Sequence, residues 1–185
     1  MQKTLKKVLV TGGYGFIGSN LIRKLLLDYR LEIINVDKMG YASDEENLES
    51  LFRENKELRK KYSFFKLDLL DKISLKKIIF KYNPSLVIHL AAESHVDKSI
   101  SDPSSFVLNN IVGTTNLLEV LLENWNTLGI EEKNNFRFLH VSTDEVFGSL
   151  NKEDRFSENS AYRPNSPYSA SKAASDHFVR AWFKT

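Results

Sequence analysis

Three stretches of this chain combine residue types and spacings that can do chemistry. The first is Thr11-Gly12-Gly13-Tyr14-Gly15-Phe16-Ile17-Gly18, with glycines at 12, 15 and 18. Glycine lets a turn take positive φ and lets the backbone approach a pyrophosphate. The start of a helix adds free N–H donors and a partial positive charge. Asp37 stands 19 residues beyond Gly18, where an acid can accept both hydroxyls of an adenosine ribose. That acid argues for NAD over NADP, because it repels a 2′-phosphate, although the cation of Lys38 beside it pulls the other way. Asp68 fits a contact to adenine, or a cap on the helix that follows. A glycine-rich turn that only packs helix on strand is the alternative.

The second stretch is Tyr168-Ser169-Ala170-Ser171-Lys172. Positions four apart share a helix face, so the ammonium can lie near the phenol. A nearby cation stabilises the phenolate and lowers a titration that normally falls near pH 10. The product is a base able to take a proton from a sugar hydroxyl as hydride leaves the same carbon, but such pairs also arise by chance on surface helices. The third stretch is Ser142-Thr143-Asp144-Glu145, a hydroxyl followed by two acids. Adjacent carboxylates repel unless each has its own task; a solvated acidic turn is the other reading. No metal site is expected. His89 and His140 sit in apolar runs and read as core, while His95 and His177 lack the spacing of metal ligands.

The elements that must position these groups alternate short β-branched runs with longer helical periods, the pattern of a parallel α/β sheet. Strands are predicted at Lys7–Thr11, Glu32–Asp37, Ser63–Asp68, Ser85–Ala91 and Phe136–Ser142. Helices are predicted from Phe16, across Ser43–Lys61, from Asp71 to Tyr82, from Asp102-Pro103 to about Trp125, and from near Tyr168. The fold class is α/β, a Rossmann-type doubly wound parallel sheet, with the fifth strand an open edge. The chain has 185 residues, 42% hydrophobic and 27% charged, which is one soluble domain rather than a disordered segment. Its 26 basic and 24 acidic residues leave no cationic excess for nucleic acid. Without cysteine it has no disulfide, thiolate or cysteine-ligated metal. The three apolar residues before Thr11 are too few for a secretory leader, and no run approaches the roughly 18 consecutive apolar residues of a membrane helix. A cytoplasmic protein with neither nucleic acid nor membrane as partner is expected.

Six blocks also occur together and in order: Gly12–Ser19, Val36-Asp37-Lys38, His89–Ile100, Asn110–Thr114, Val141–Val146 and Ser166–Ala173. In them the chain resembles the nucleotide-sugar 4,6-dehydratases of the extended short-chain dehydrogenase/reductase superfamily, and the dTDP-glucose branch most of all. The resemblance implies NAD held by Gly12, Gly15, Phe16, Ile17 and Gly18, by Asp37 and Lys38, by Asp68 and Leu69, by Ala91 and Ala92, and by Tyr168 and Lys172. It places Ser94 by the substrate and Thr143 on the sugar's 4-hydroxyl. It makes Asp144 the acid that protonates the departing 6-hydroxyl and Glu145 the base at C5, with Tyr168 and Lys172 completing the catalytic set. Oxidation at C4 acidifies the C5 proton, water leaves from C6, and the hydride returns there.

The resemblance further implies a homodimer through the helices at about 103–125 and 168–184. Against the family pattern, Tyr14 replaces alanine and is expected to add bulk where the pyrophosphate sits. Gly40 and Asn109 replace threonines near the cofactor, and Phe147 replaces a tyrosine. Family chains are close to twice as long. Residues 1–185 are therefore expected to be an incomplete NAD-binding Rossmann domain, without the later strands and the C-terminal sugar-nucleotide domain, with a separate chain as one possible source of that half. A UDP-glucose 4,6-dehydratase, another nucleotide-sugar epimerase or dehydratase, and an NAD-binding fragment without turnover are the alternatives.

Overall fold

Runs of β-branched and aliphatic residues set the strands, and their alternation sets which layer each side chain enters. In the computed structural model, which describes residues 7–151 and 153–185, five strands form one sheet. They are β1 (Lys7–Thr11), β2 (Glu32–Asp37), β3 (Tyr62–Lys66), β4 (Leu86–His89) and β5 (Arg137–His140). Their order is β3-β2-β1-β4-β5, with every pair parallel. This is a doubly wound sheet whose order reverses between β1 and β4. Between strands run α1 (Phe16–Leu27), α2 (Glu46–Glu54), α3 (Lys56–Arg59), α4 (Lys72–Tyr82) and α5 (Val96–Ser101). A long helix follows, built from α6 (Pro103–Phe106), a π-helical turn (Val107–Gly113) and α7 (Thr114–Thr127), and then α8 (Ile130–Asn135). After β5 come a 3-10 turn (Asp144–Phe147) and α9 (Pro167–Lys184). Met1–Lys6, which precede the apolar run read above as too short for a secretory leader, lie outside the described residues.

Along β1 the side chains divide between two cores. Val8 and Val10 join Ile22, Leu26, Ile33 and Leu48 on the face covered by α1 and α2. Leu9 joins Ile34, Val87, Leu75, Ile79, Leu117 and Val120 on the face covered by α4 and α7. Each of these aliphatic chains contributes roughly 1.5–3 kcal/mol by leaving water, so β1 is anchored from both sides. The helix starts are capped as their sequences suggest. Asp71 accepts from Ser74 N (3.0 Å), Asp102 from Ser105 N (3.3 Å), and Ser166 from Ser169 N (3.0 Å) ahead of Pro167.

Five elements differ from the sequence expectations. The helix expected over Ser43–Lys61 breaks at Asn55 (φ −135°, ψ 73°); α3 then sets the Arg59 guanidinium 4.9 Å over the Phe52 ring. β3 runs from Tyr62 to Lys66 rather than from Ser63 to Asp68, and β5 is shorter than Phe136–Ser142. β4 stops at His89 rather than Ala91: the Leu90 N–H still reaches the Thr11 carbonyl (3.1 Å), but the Ala91 N–H turns to Thr11 Oγ1 at 3.2 Å. The helix from Pro103 is not uniformly α. The Asn110 carbonyl accepts from Thr114 Oγ1 and, across the interface, from Ser175 Oγ of α9, both at 2.6 Å, and such inserted hydroxyls widen a turn. This helix, Pro103–Thr127, is also long and apolar enough to cross a membrane by length and composition. Here it lies against the sheet, with Leu117, Val120 and Leu121 in the core. Among the described residues no strand pairs with the outer side of β5, where Leu139 is 52% exposed.

Candidate active site

In an open parallel sheet the crevice lies beyond the carboxyl ends of the strands, where the order reverses. Here that crevice is a cleft of about 420 Å³. The glycine loop forms one wall. Gly12 has φ +72°, and a Cβ there would lie 2.8 Å from Ala91 N. A Cβ on Gly18 would lie 2.2 Å from the Gly12 carbonyl oxygen. Only hydrogen at these positions lets the loop fold onto α1 and onto the chain leaving β4. Gly15 precedes α1 and offers no side-chain cap, which leaves first-turn N–H groups for an anion. Below the loop, buried Asn35 accepts from Gly13 N (3.1 Å) and donates to the Tyr62 hydroxyl (2.8 Å).

Asp37 ends β2 at 5% exposure. It accepts from Tyr14 N (3.0 Å), Met39 N (2.8 Å) and Ser43 Oγ (2.8 Å). Tyr14 corrects one expectation. Its ring does not enter the cleft: it is 2% exposed, packs edge-on to Phe64 at 4.7 Å, and its phenol pairs with Tyr62. With Cα fixed by the loop, the side chain has only the core to enter. The next residue, Lys38, reaches across the cleft and donates to Glu93 Oε1 (2.5 Å) and Asn109 Oδ1 (2.7 Å).

At the opposite end stand Tyr168 and Lys172, 9% and 5% exposed. The ammonium of Lys172 donates to Val141 O at 2.7 Å. Burial pushes its pKa down to about 8, against the opposing pull of the Asp176 carboxylate. The phenol of Tyr168 is not lowered, contrary to the sequence expectation. Burial raises it, a hydrogen bond with Thr143 works the other way, and the charges of Glu145 and Asp144 raise it further. Lys172 is turned to the strand end rather than to the phenol.

All the residues expected to hold the cofactor line this one cleft: Gly12, Gly15, Phe16, Ile17 and Gly18, Asp37 and Lys38, Asp68 and Leu69, Ala91 and Ala92, Tyr168 and Lys172. Ser94 lines it as well, as do Gly40 and Asn109. Thr143, Asp144 and Glu145 do not. They sit on the 3-10 turn beside the Tyr168 end, where Thr143 Oγ1 accepts from Glu145 N at 3.3 Å, Asp144 is exposed and Glu145 half-buried. Sequence reasoning missed Tyr41, Ser43 and Glu93 on the walls; Ser142, singled out as the start of the acidic stretch, lines them too.

It also missed Asp176, which takes hydrogen bonds from Ser142 Oγ (2.5 Å) and Tyr162 OH (3.0 Å). Its Oδ1 lies 3.2 Å from His140 Nε2, poorly aligned for a full hydrogen bond. Burial works to raise this carboxyl, yet these partners leave it below its ordinary value. The available signal was spacing, since Asp176 is one helical turn beyond Lys172. His89, fully buried, bridges Thr11 Oγ1 (2.6 Å) and Thr114 Oγ1 (2.9 Å), and burial holds it neutral.

Comparison with known proteins agrees with this geometry. Residues 9–185 match the family described as GDP-mannose 4,6 dehydratase. The chain is 47% identical over 188 residues to the dTDP-glucose 4,6-dehydratase of Salmonella typhimurium, covering 97% of this chain and 51% of that protein. Among solved structures it resembles DesIV, the dTDP-glucose 4,6-dehydratase of Streptomyces venezuelae with NAD bound, at TM-score 0.83 and 36% identity, over 97% of this chain and 52% of that one. The UDP-glucose 4-epimerase of Thermus thermophilus in complex with NAD is similar at TM-score 0.79 and 32% identity, over 96% of this chain and 51% of the other. The chain spans about half the length of the relatives it matches.

Proposed function

As a member of the GDP-mannose 4,6-dehydratase family, this chain is one for which we propose the NAD-binding and acid–base half of a dTDP-glucose 4,6-dehydratase. The observation that carries the reading is the single cleft at the sheet's switch point. It gathers the glycine loop, Asp37 and the Tyr168–Lys172 face from segments far apart in sequence. The residues suit a dinucleotide: a glycine cradle that a Cβ would fill, an uncapped helix start for the pyrophosphate, and a carboxylate at the ribose end.

NAD, held by the glycine loop and Asp37, would supply the acceptor for the C4 hydride and the store from which it returns to C6. The rest falls to the chain. Tyr168 removes the proton of the 4-hydroxyl, with Thr143 on the same oxygen. Glu145 abstracts the C5 proton, which the C4 ketone has made acidic, and Asp144 delivers a proton to the departing 6-hydroxyl, so water leaves. Adjacent residues on one 3-10 turn thus carry opposite proton duties. The Asp144-Glu145 pair favours this chemistry over 4-epimerisation, in which no water is expelled.

The cytoplasm suits a chain without cysteine. A homodimer through the long helix and α9 is supported by Val107, Leu108, Leu122 and Phe183, which are exposed there. Domain 1–185 is read as the dinucleotide-binding unit, and the part that reads the substrate's base falls to the other half of the relatives' length. The test is incubation with NAD and dTDP-glucose, alone and with the complementary half of a relative. Alkali-detectable 4-keto-6-deoxy sugar is expected with the complementary half present. In that mixture Glu145→Gln is expected to stop C5 proton exchange while reduced cofactor still forms. Its absence would overturn the order of steps.

A further inference from the structure

Asp37 and Lys38 place opposite charges side by side at the ribose end, and the choice between NAD and NADP turns on which of them a 2′-phosphate would meet. We propose that Glu93 is a specificity-determining residue, which holds Lys38 across the cleft and so keeps that cation from a 2′-phosphorylated dinucleotide. The inference rests on the NAD reading above.

Among the described residues the cleft is lined by two lysines, Lys38 and Lys172. Lys172 is at the far end, committed to Val141 O. Only Lys38 is placed to meet a phosphate on the ribose, and its ammonium is already bound by Glu93 Oε1 at 2.5 Å and Asn109 Oδ1 at 2.7 Å. Glu93 is not a loose surface acid. Its N–H donates to Asn110 Oδ1 (2.8 Å) and its carbonyl accepts from Asn110 Nδ2 (2.9 Å). Asn110 itself is 1% exposed and reaches Ser171 Oγ of α9 at 2.9 Å. The Glu93 side chain is 14% exposed, so solvent screens the pair only partly. Tyr41 packs on the same carboxylate: burial, and then the Glu93 charge, hold its phenol above the ordinary value. Asp37, Lys38 and Glu93 together leave one net negative charge where a phosphate dianion would have to sit.

The test is calorimetric affinity for NAD and for NADP, measured on the chain and on Glu93→Gln, Lys38→Met and the double variant. The chain is expected to prefer NAD, and Glu93→Gln to cut that preference about tenfold, since it removes a charge and frees the ammonium. Lys38→Met alone is expected not to reduce the preference, and the double variant to return to that of the parent. As a second probe, Asn109→Ala removes the other acceptor and shifts the ratio the same way by about two- to threefold. An unchanged ratio in both Glu93→Gln and Asn109→Ala, in a parent that prefers NAD, overturns the inference alone, as does a gain that persists without Lys38. A folded parent that binds neither dinucleotide overturns the NAD reading and this inference with it.

Discussion

The two ends of the site are built on opposite plans. At the glycine-loop end the polar groups are buried and mutually bound: Thr11 and Asn35 at 0% exposure, Asp37 at 5%, each with partners from distant segments. At the acid end, Thr143–Glu145 hangs on a four-residue turn after an edge strand. Its ties are few: Thr143 Oγ1 to Glu145 N, the Val146 carbonyl to Arg163 N in the following loop, and Thr143 beside Tyr168. The difference teaches that the pyrophosphate cradle is continuous with the folding core, whereas the acids are carried on a separable turn. Damage at the first end should therefore appear in stability and binding together, and damage at the second in chemistry alone.

The largest expected effect tests the first half of that contrast. Gly18→Ala drives a methyl into the Gly12 carbonyl at 2.2 Å. It should cost about 2–3 kcal/mol of stability and weaken NAD binding about 100-fold or more, a loss of roughly 2.7 kcal/mol, seen by denaturation and calorimetry. Normal binding in a destabilised variant would separate cradle from core.

Next in size is a pH effect. Below about pH 8 the folded chain holds the Lys172 charge out of water, while the unfolded chain solvates it freely. Between pH 8 and the usual 10.5 the unfolded chain binds the extra proton, so stability rises with pH across that window. Lys172→Met should lack this rise, about 2 kcal/mol between pH 8 and 10, in urea titrations at both pH values. Equal slopes would place the lysine in water.

Smaller is Tyr14→Phe. It removes a buried phenol oxygen beside Tyr62 and should cost about 1 kcal/mol with NAD affinity changed less than about twofold, within 0.4 kcal/mol. A larger loss of affinity would return the ring to the phosphate path. Smallest is Glu145→Gln, expected to leave the melting temperature unchanged while lowering the titration of Tyr168, because one of the charges that raises it is gone. Ultraviolet difference titration against Tyr168→Phe checks this.

What the sequence disclosed follows the same division. Thr11–Gly18 and Asp37 were legible because their constraints are local, a turn between strand and helix and the end of the next strand. Capping at Asp71 and Asp102 was legible for the same reason. The direction of Tyr14 was not, since it depends on Phe64 and Tyr62, some fifty residues away. Nor was the hold of Lys172 on Val141, or of Lys38 on Glu93, because each joins elements that meet only after the sheet closes. The Asp176 cluster likewise needs β5 packed on α9.

The π-helical turn at Val107–Gly113 has an arithmetical consequence. Such a turn is in effect an α-helix with one residue too many. Excising one residue from it would let Pro103–Thr127 run as plain α-helix, at the cost of spinning everything upstream by about 100° relative to α7. Circular dichroism would barely notice. Yet Asn109 and Asn110, which brace Lys38 and Glu93, would swing away from the ribose pocket, leaving a helix mended and a latch undone.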